Sequence, residues 1–129
     1  MRAEELKGHL DAVLLAALEG GPRHGYAVIE ALRQSTDGRL DLPTGTIYPA
    51  LRRLEQAGLI AGTWSVVGGR RRREYQLTPA GVRALSGRRA AWRDFSATVT
   101  AALESAARVN AALENAALED TACPSPNPA

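Results

Sequence analysis

The chain has 129 residues, 23% of them charged, a formal net charge of +2, two histidines and one cysteine. Cys123 alone cannot form an intrachain disulfide, and with only His9 and His24 beside it no thiolate or imidazole cluster has metal-ligand spacing, so neither a disulfide scaffold nor a zinc site is expected. No apolar stretch approaches the ~20 residues that span a bilayer, and the charged segment from Met1 to Lys7 is followed by no signal-like apolar run, so a cytoplasmic protein without membrane attachment or cofactor is expected.

The small net charge hides a division along the chain. Residues 1–99 hold fifteen Lys/Arg against ten Asp/Glu, a balance of +5, whereas residues 100–129 hold Arg108 against Glu104, Glu114, Glu119 and Asp120, a balance of −3. A basic surplus concentrated on one element is the footprint of phosphate binding.

Leu6, Leu10, Val13, Leu14, Ala17 and Leu18 recur at helical spacing and predict a first helix that stops at Gly20-Gly21-Pro22. A second helix is expected over His24 to Arg33, burying Val28, Ile29 and Leu32 and ending before Thr36-Asp37-Gly38. Arg39-Leu40-Asp41-Leu42 alternates like a short strand. A third helix follows Pro43, with its N-cap expected between Thr44 and Thr46 so that Pro49 falls near the helix start. Ile47, Leu51, Leu54 and Gly58 form its apolar stripe and leave Thr46, Tyr48, Arg52, Arg53 and Gln56 on the free face, where hydroxyl and guanidinium groups reach base edges and phosphates.

Two strands are expected next, Ile60 to Val67 and Glu74 to Leu77, with Trp64, Val66, Tyr75 and Leu77 as apolar positions. Between them, Gly68-Gly69 is the tight turn and Arg70, Arg71, Arg72 and Arg73 crown the hairpin tip. Thr78-Pro79 opens a long helix, the threonine capping and the proline standing where its missing donor costs nothing. Trp92, Phe95, Val99, Ala102, Ala106, Val109, Leu113 and Ala116 advance in steps of three and four, a coiled-coil seam. The Ala-Ala-Leu-Glu repeats beyond residue 100 favour helix, and residues 120–129 are Pro-rich and expected to be disordered.

The element order predicts a mainly α protein with a small β-hairpin wing: a winged helix-turn-helix over residues 1–77 and a dimerisation helix over residues 78–119. Gly8-His9-Leu10-Asp11, Gly21-Pro22-Arg23-His24-Gly25-Tyr26, Gly45-Thr46-Ile47-Tyr48-Pro49-Ala50-Leu51, Arg53-Leu54-Glu55, Gly58-Leu59-Ile60 and Tyr75-Gln76-Leu77-Thr78-Pro79-Ala80-Gly81 together resemble the PadR family of transcriptional regulators, over residues 4 to about 99. The alanine-glutamate repeats past residue 100 depart from that pattern. The single terminal helix is similar to the short-tailed branch. That resemblance implies a homodimer that represses genes, often for transporters or detoxifying enzymes, and leaves DNA when a small molecule or stress signal arrives.

The expected DNA-binding set is Tyr26, Thr44, Thr46, Tyr48, Arg52, Arg53 and Arg70 to Arg73, read against a palindromic operator. Tyr26 serves equally well as a core residue. Trp92 has two readings, of which packing in the dimer seam is preferred. The other is a stacking platform between subunits for a planar aromatic effector, as the paired tryptophans of some short-tailed relatives imply, walled by Leu10, Val13, Leu14, Phe95 and Val99. No convergent acids, bases or phosphate-cradling loop point to an enzyme. A winged-helix module for protein assembly is the alternative function, but it leaves four consecutive arginines unexplained.

Overall fold

The computed structural model describes residue 6 and residues 8–122, with side chains through residue 118. Helix α1 (Leu10–Ala17) starts a turn later than the leucine spacing predicts, because His9 N–H bonds the Leu6 carbonyl at 2.7 Å and closes a separate turn that buries Leu6 ahead of the helix. Strand β1 (Arg23–His24) leads directly into α2 (Gly25–Ser35), which runs two residues past its expected end. There Thr36 Oγ1 donates to the Leu32 carbonyl at 2.7 Å and accepts the Leu40 N–H at 2.9 Å, so one hydroxyl ends the helix and starts the next segment.

The expected strand at residues 39–42 does not form. Leu40 and Leu42 are both buried, so the alternation identified the inward side chains correctly. Residues 39–42 pair with no strand among the described residues; the third strand of the sheet is β1, whose Arg23 and His24 pair with Tyr75 and Glu74.

Helix α3 (Thr44–Gln56) is capped by Pro43, not by a threonine: the Pro43 carbonyl accepts Thr46 N–H at 3.0 Å and Ile47 N–H at 3.1 Å. Pro43 is extended at ψ 155°, its own missing N–H costs nothing ahead of the helix, and no hydroxyl is called upon. Pro49 is therefore internal. It withdraws the donor that would meet the Gly45 carbonyl, and Gly45 lies on the exposed first turn, where a carbonyl is open to solvent.

Strands β2 (Ile60–Val67) and β3 (Arg70–Leu77) pair antiparallel in a three-stranded sheet of order β1-β3-β2. The connection is Gly68-Gly69 alone, with φ 59° and 76°, the pair of left-handed residues that a twisted two-residue hairpin demands. The four arginines are consequently not a tip. They are the first half of β3, and the strand pleat separates them onto two faces.

Helix α4 (Pro79–Ala122) opens as expected, with Thr78 Oγ1 accepting the Gly81 N–H at 3.1 Å and also donating to the Gly58 carbonyl at 2.7 Å. It continues to Ala122, through residues 120–122, which carry no breaker ahead of Pro124. The rest of the expected disordered tail, residues 123–129, lies outside the described residues.

Two compact units result, one ending at Arg89 and the other starting at Ala90. The first is organised around one apolar cluster in which Leu14, Leu15, Leu18, Val28, Ile47, Leu51, Leu54 and Ile60 are almost wholly buried. The opening turns of α4 belong to this unit through Leu85, and Arg89 clasps Glu19 with two bonds of 2.6 and 3.0 Å. In the second unit Trp92, Phe95, Val99, Leu103, Val109, Leu113 and Leu118 are exposed along α4, the Trp92 and Phe95 ring centroids 6.0 Å apart.

Candidate nucleic-acid interface

Helix α3 buries Ile47, Ala50, Leu51 and Leu54 against α1, α2 and β2. Burying that stripe turns Thr44, Tyr48, Arg52 and Glu55, spaced four, four and three, onto a common outward face. The face forms one wall of a concavity of about 620 Å³; His24, Gly25 and Tyr26 form another, and Trp64, Arg71, Arg72, Arg73 and Tyr75 of the wing form the third. Six of the ten expected DNA-binding residues meet here: Tyr26, Tyr48, Arg52, Arg71, Arg72 and Arg73.

Of the remaining four, Thr44 and Thr46 lie in the first turn of α3 and Arg70 follows the hairpin turn, exposed. Arg53 turns away. It lies seven residues beyond Thr46, on that side of the helix, and its Nη2 meets Asp11 Oδ1 of α1 at 2.5 Å. The hypothesised effector walls divide similarly: Leu14 is fully buried in the core of the first unit with Leu10 and Val13 packed against that core, while Trp92, Phe95 and Val99 are exposed in the second.

The position of Tyr48 depends on the residue beneath it. A Cβ at Gly25 would stand 2.6 Å from the Tyr48 ring, so glycine lets the ring lie flat on the start of α2. Burial, and then its neighbour Tyr26, push the Tyr48 phenol above its ordinary value; like any tyrosine it is a neutral hydroxyl donor and acceptor at physiological pH.

The two-residue turn sets which wing residues stand together. Trp64 faces Arg73 and Val66 faces Arg71 across the ladder, so the indole shares a face with two guanidinium groups, whose carbons lie 4.6 Å (Arg71) and 5.2 Å (Arg73) from its ring centre. Arg72 points to the opposite face, with Nη1 3.4 Å from His24 Nε2. Trp64 and His24 were absent from the expected set, although counting outward from Gly68-Gly69 pairs Trp64 with Arg73 from sequence alone.

Glu55 is the further residue that residue type concealed. From the last turn of α3 its Oε2 accepts Arg73 Nη2 of β3 and, at 3.1 Å, the Gly62 N–H of β2. The hydrogen bond from Arg73 holds the Glu55 carboxyl below the usual carboxylate range, and Glu55 in turn raises Arg73. Among the described residues no group of three or more His, Cys, Asp or Glu side chains could hold a metal ion, and no helix is long and apolar enough to cross a membrane.

A helix with an exposed polar stripe, seated on two further helices and flanked by a basic β-hairpin, is a winged helix-turn-helix. The pattern of the transcriptional regulator PadR-like family matches residues 14–87, more than half of the chain, and the protein belongs to that family. Its members are transcriptional regulators that bind DNA, not enzymes.

Among curated relatives, the transcriptional regulator Rv3488 of Mycobacterium tuberculosis is 40% identical over 77 residues, covering 60% of this chain and 59% of its own. Of solved structures, a transcriptional regulator from Clostridium thermocellum is similar with a TM-score of 0.70 and 26% identity, covering 75% of this chain and 95% of its own. A PadR family regulator from Eggerthella lenta gives 0.69 and 33%, covering 79% and 88%.

The depressed Glu55 carboxyl sets a sign for acid sensitivity. Its pair with Arg73 contributes stability that is complete above the ordinary carboxylate value and lost as pH falls through the lower folded value. Thermal melts should therefore place the wild-type Tm above that of Glu55→Gln near neutral pH, with the gap closing below about pH 4. A gap that widens on acidification would contradict the pairing.

Proposed function

We propose that the protein is a homodimeric repressor that occupies a palindromic operator and releases it in response to a small molecule or stress signal. The concavity carries this reading, because it brings tyrosine hydroxyls and Arg52 from two helices together with wing arginines. In this arrangement Tyr26, Thr44, Thr46, Tyr48 and Arg52 meet base edges or neighbouring phosphates, while Arg70, Arg71 and Arg72 meet the backbone or the minor groove. Arg53 and Arg73, engaged with Asp11 and Glu55, maintain the shape of the site.

Pairing is supported by the second unit. An exposed row of Trp92, Phe95, Val99, Val109 and Leu113 at coiled-coil spacing loses least to water by meeting the same row on a second copy. A two-fold dimer then presents two α3 helices to successive major grooves, about 34 Å apart. Occupation of a promoter in this way excludes polymerase, which is repression.

Release needs a ligand with different affinities for the DNA-bound and free dimers, since an effector moves an equilibrium by no more than that difference. The neighbouring exposed rings of Trp92 and Phe95, with Val99 one turn on, supply a stacking surface for a planar aromatic molecule.

Three measurements check these parts. Arg71→Ala should weaken binding to all duplexes alike and flatten the dependence of log K on log salt by about one phosphate; an unchanged slope removes Arg71 from the interface. Sedimentation at micromolar concentration should give a species of twice the chain mass, and a single species of 13.7 kDa would exclude the dimer. In a Trp64→Phe background, planar dyes or antibiotics should quench Trp92 and lower duplex affinity together; quenching without loss of affinity would leave Trp92 as packing.

A further inference from the structure

Glu55 stands where a carboxylate is least expected. It continues the Thr44, Tyr48, Arg52 stripe of α3 and lines the concavity assigned above to DNA, beside Arg52, Arg71, Arg72 and Arg73. A negative charge at that place repels phosphate. The structure shows what it holds instead.

Three elements converge on the one carboxylate: α3 supplies Glu55, β3 supplies Arg73 and β2 supplies the Gly62 N–H. The space is cut for this contact, because a Cβ at Gly62 would lie 2.5 Å from Arg73 Nε and 2.6 Å from Glu55 Oε2. Both side chains of the pair keep less than a third of their surface exposed, 28% for Glu55 and 29% for Arg73. The Trp64 ring packs on the guanidinium at 5.2 Å, so Arg73 is fixed by a carboxylate and an aromatic face together.

We propose that Glu55 is a specificity-determining positioning residue that keeps Arg73 off the phosphates and ties both wing strands to the recognition helix. The inference rests on the reading of this concavity as the DNA site. Non-specific affinity grows with each phosphate a free cation neutralises, whereas sequence reading needs helix and wing in one fixed relation. By compensating Arg73, Glu55 lowers the first quantity and protects the second. Of the four wing arginines, Arg70, Arg71 and Arg72 then supply the counterion release.

The test uses the full chain and two probes: a duplex recovered by repeated selection from a randomised library with the wild-type protein, and a scrambled duplex of the same composition. Glu55→Gln keeps the size and an oxygen for the Gly62 N–H but frees Arg73. It should bind the scrambled duplex with a salt slope steeper by about one and an affinity about five-fold higher near 0.15 M salt. Its preference for the selected duplex should fall at least about five-fold.

Arg73→Gln, which breaks the clamp without liberating a cation and leaves Glu55 uncompensated, should lose the preference and bind scrambled DNA more weakly than wild type, with a slope no steeper than the wild-type slope. A Glu55→Gln slope equal to the wild-type slope overturns the proposal and leaves the DNA site standing. Equal weakening of both variants on both duplexes, with slopes unchanged, also overturns it, since that is the mark of a purely structural pair. If wild type binds no duplex in a salt-dependent way, the DNA reading falls and the role of Glu55 falls with it.

Discussion

One helix has to satisfy two solvents. The stripe of Ile47, Ala50, Leu51 and Leu54 is buried against α1, α2 and β2, and everything that α3 offers to the outside follows from that seating. At 3.6 residues per turn, fixing those four positions inward fixes Thr44, Tyr48, Arg52 and Glu55 outward. The core under the helix is nearly all leucine, isoleucine and valine, and close packing makes the orientation stiff. A loosely seated helix would carry the same residues without aiming them.

The wing is aimed by a second constraint of the same kind. A two-residue turn leaves the ladder no freedom of register, and the pleat then sorts a run of four like charges into two pairs with different surroundings. Arg71 and Arg73 share the indole of Trp64, whereas Arg72 lies near His24 on the other face. Four adjacent arginines in a loop would be interchangeable solvated charges. In a strand each has its own neighbours, and one of them is already neutralised.

Carboxylates organise this basic surface more than its net charge suggests. Asp11 takes Arg53, Glu55 takes Arg73 and Glu19 takes Arg89, three pairs that each join distant parts of the chain in the first unit. Exposed ion pairs contribute little to stability individually. Their consequence here is directional: each fixes where its guanidinium points, Arg53 toward α1, Arg73 toward α3 and Arg89 toward the residues that follow α1. Tyr48 is placed by shape rather than charge, resting on the hydrogen atom of Gly25.

Much of this was legible in the residues. Apolar spacing located the four helices, Thr78-Pro79 marked the start of α4, and Gly68-Gly69 marked the hairpin, because each depends on neighbours a few positions away. Motif order also carried the family. What local reasoning missed had non-local causes. The alternation of Leu40 and Leu42 looked like a strand, but alternation reports only which side chains turn inward; strand pairing is non-local, and the third strand of the sheet is Arg23 and His24. Pro43, not a threonine, is the cap of α3: its carbonyl accepts the first intrahelical bonds and no side chain caps the helix. The sequence by itself determined which side chains are apolar, that four helices form and in what order, and that a basic wing follows the third of them. Only the tertiary structure decided which arginines face open space, since that depends on Asp11, Glu55 and Trp64 arriving from other elements, and a guanidinium's availability is set by what lies within a few ångströms of it in space.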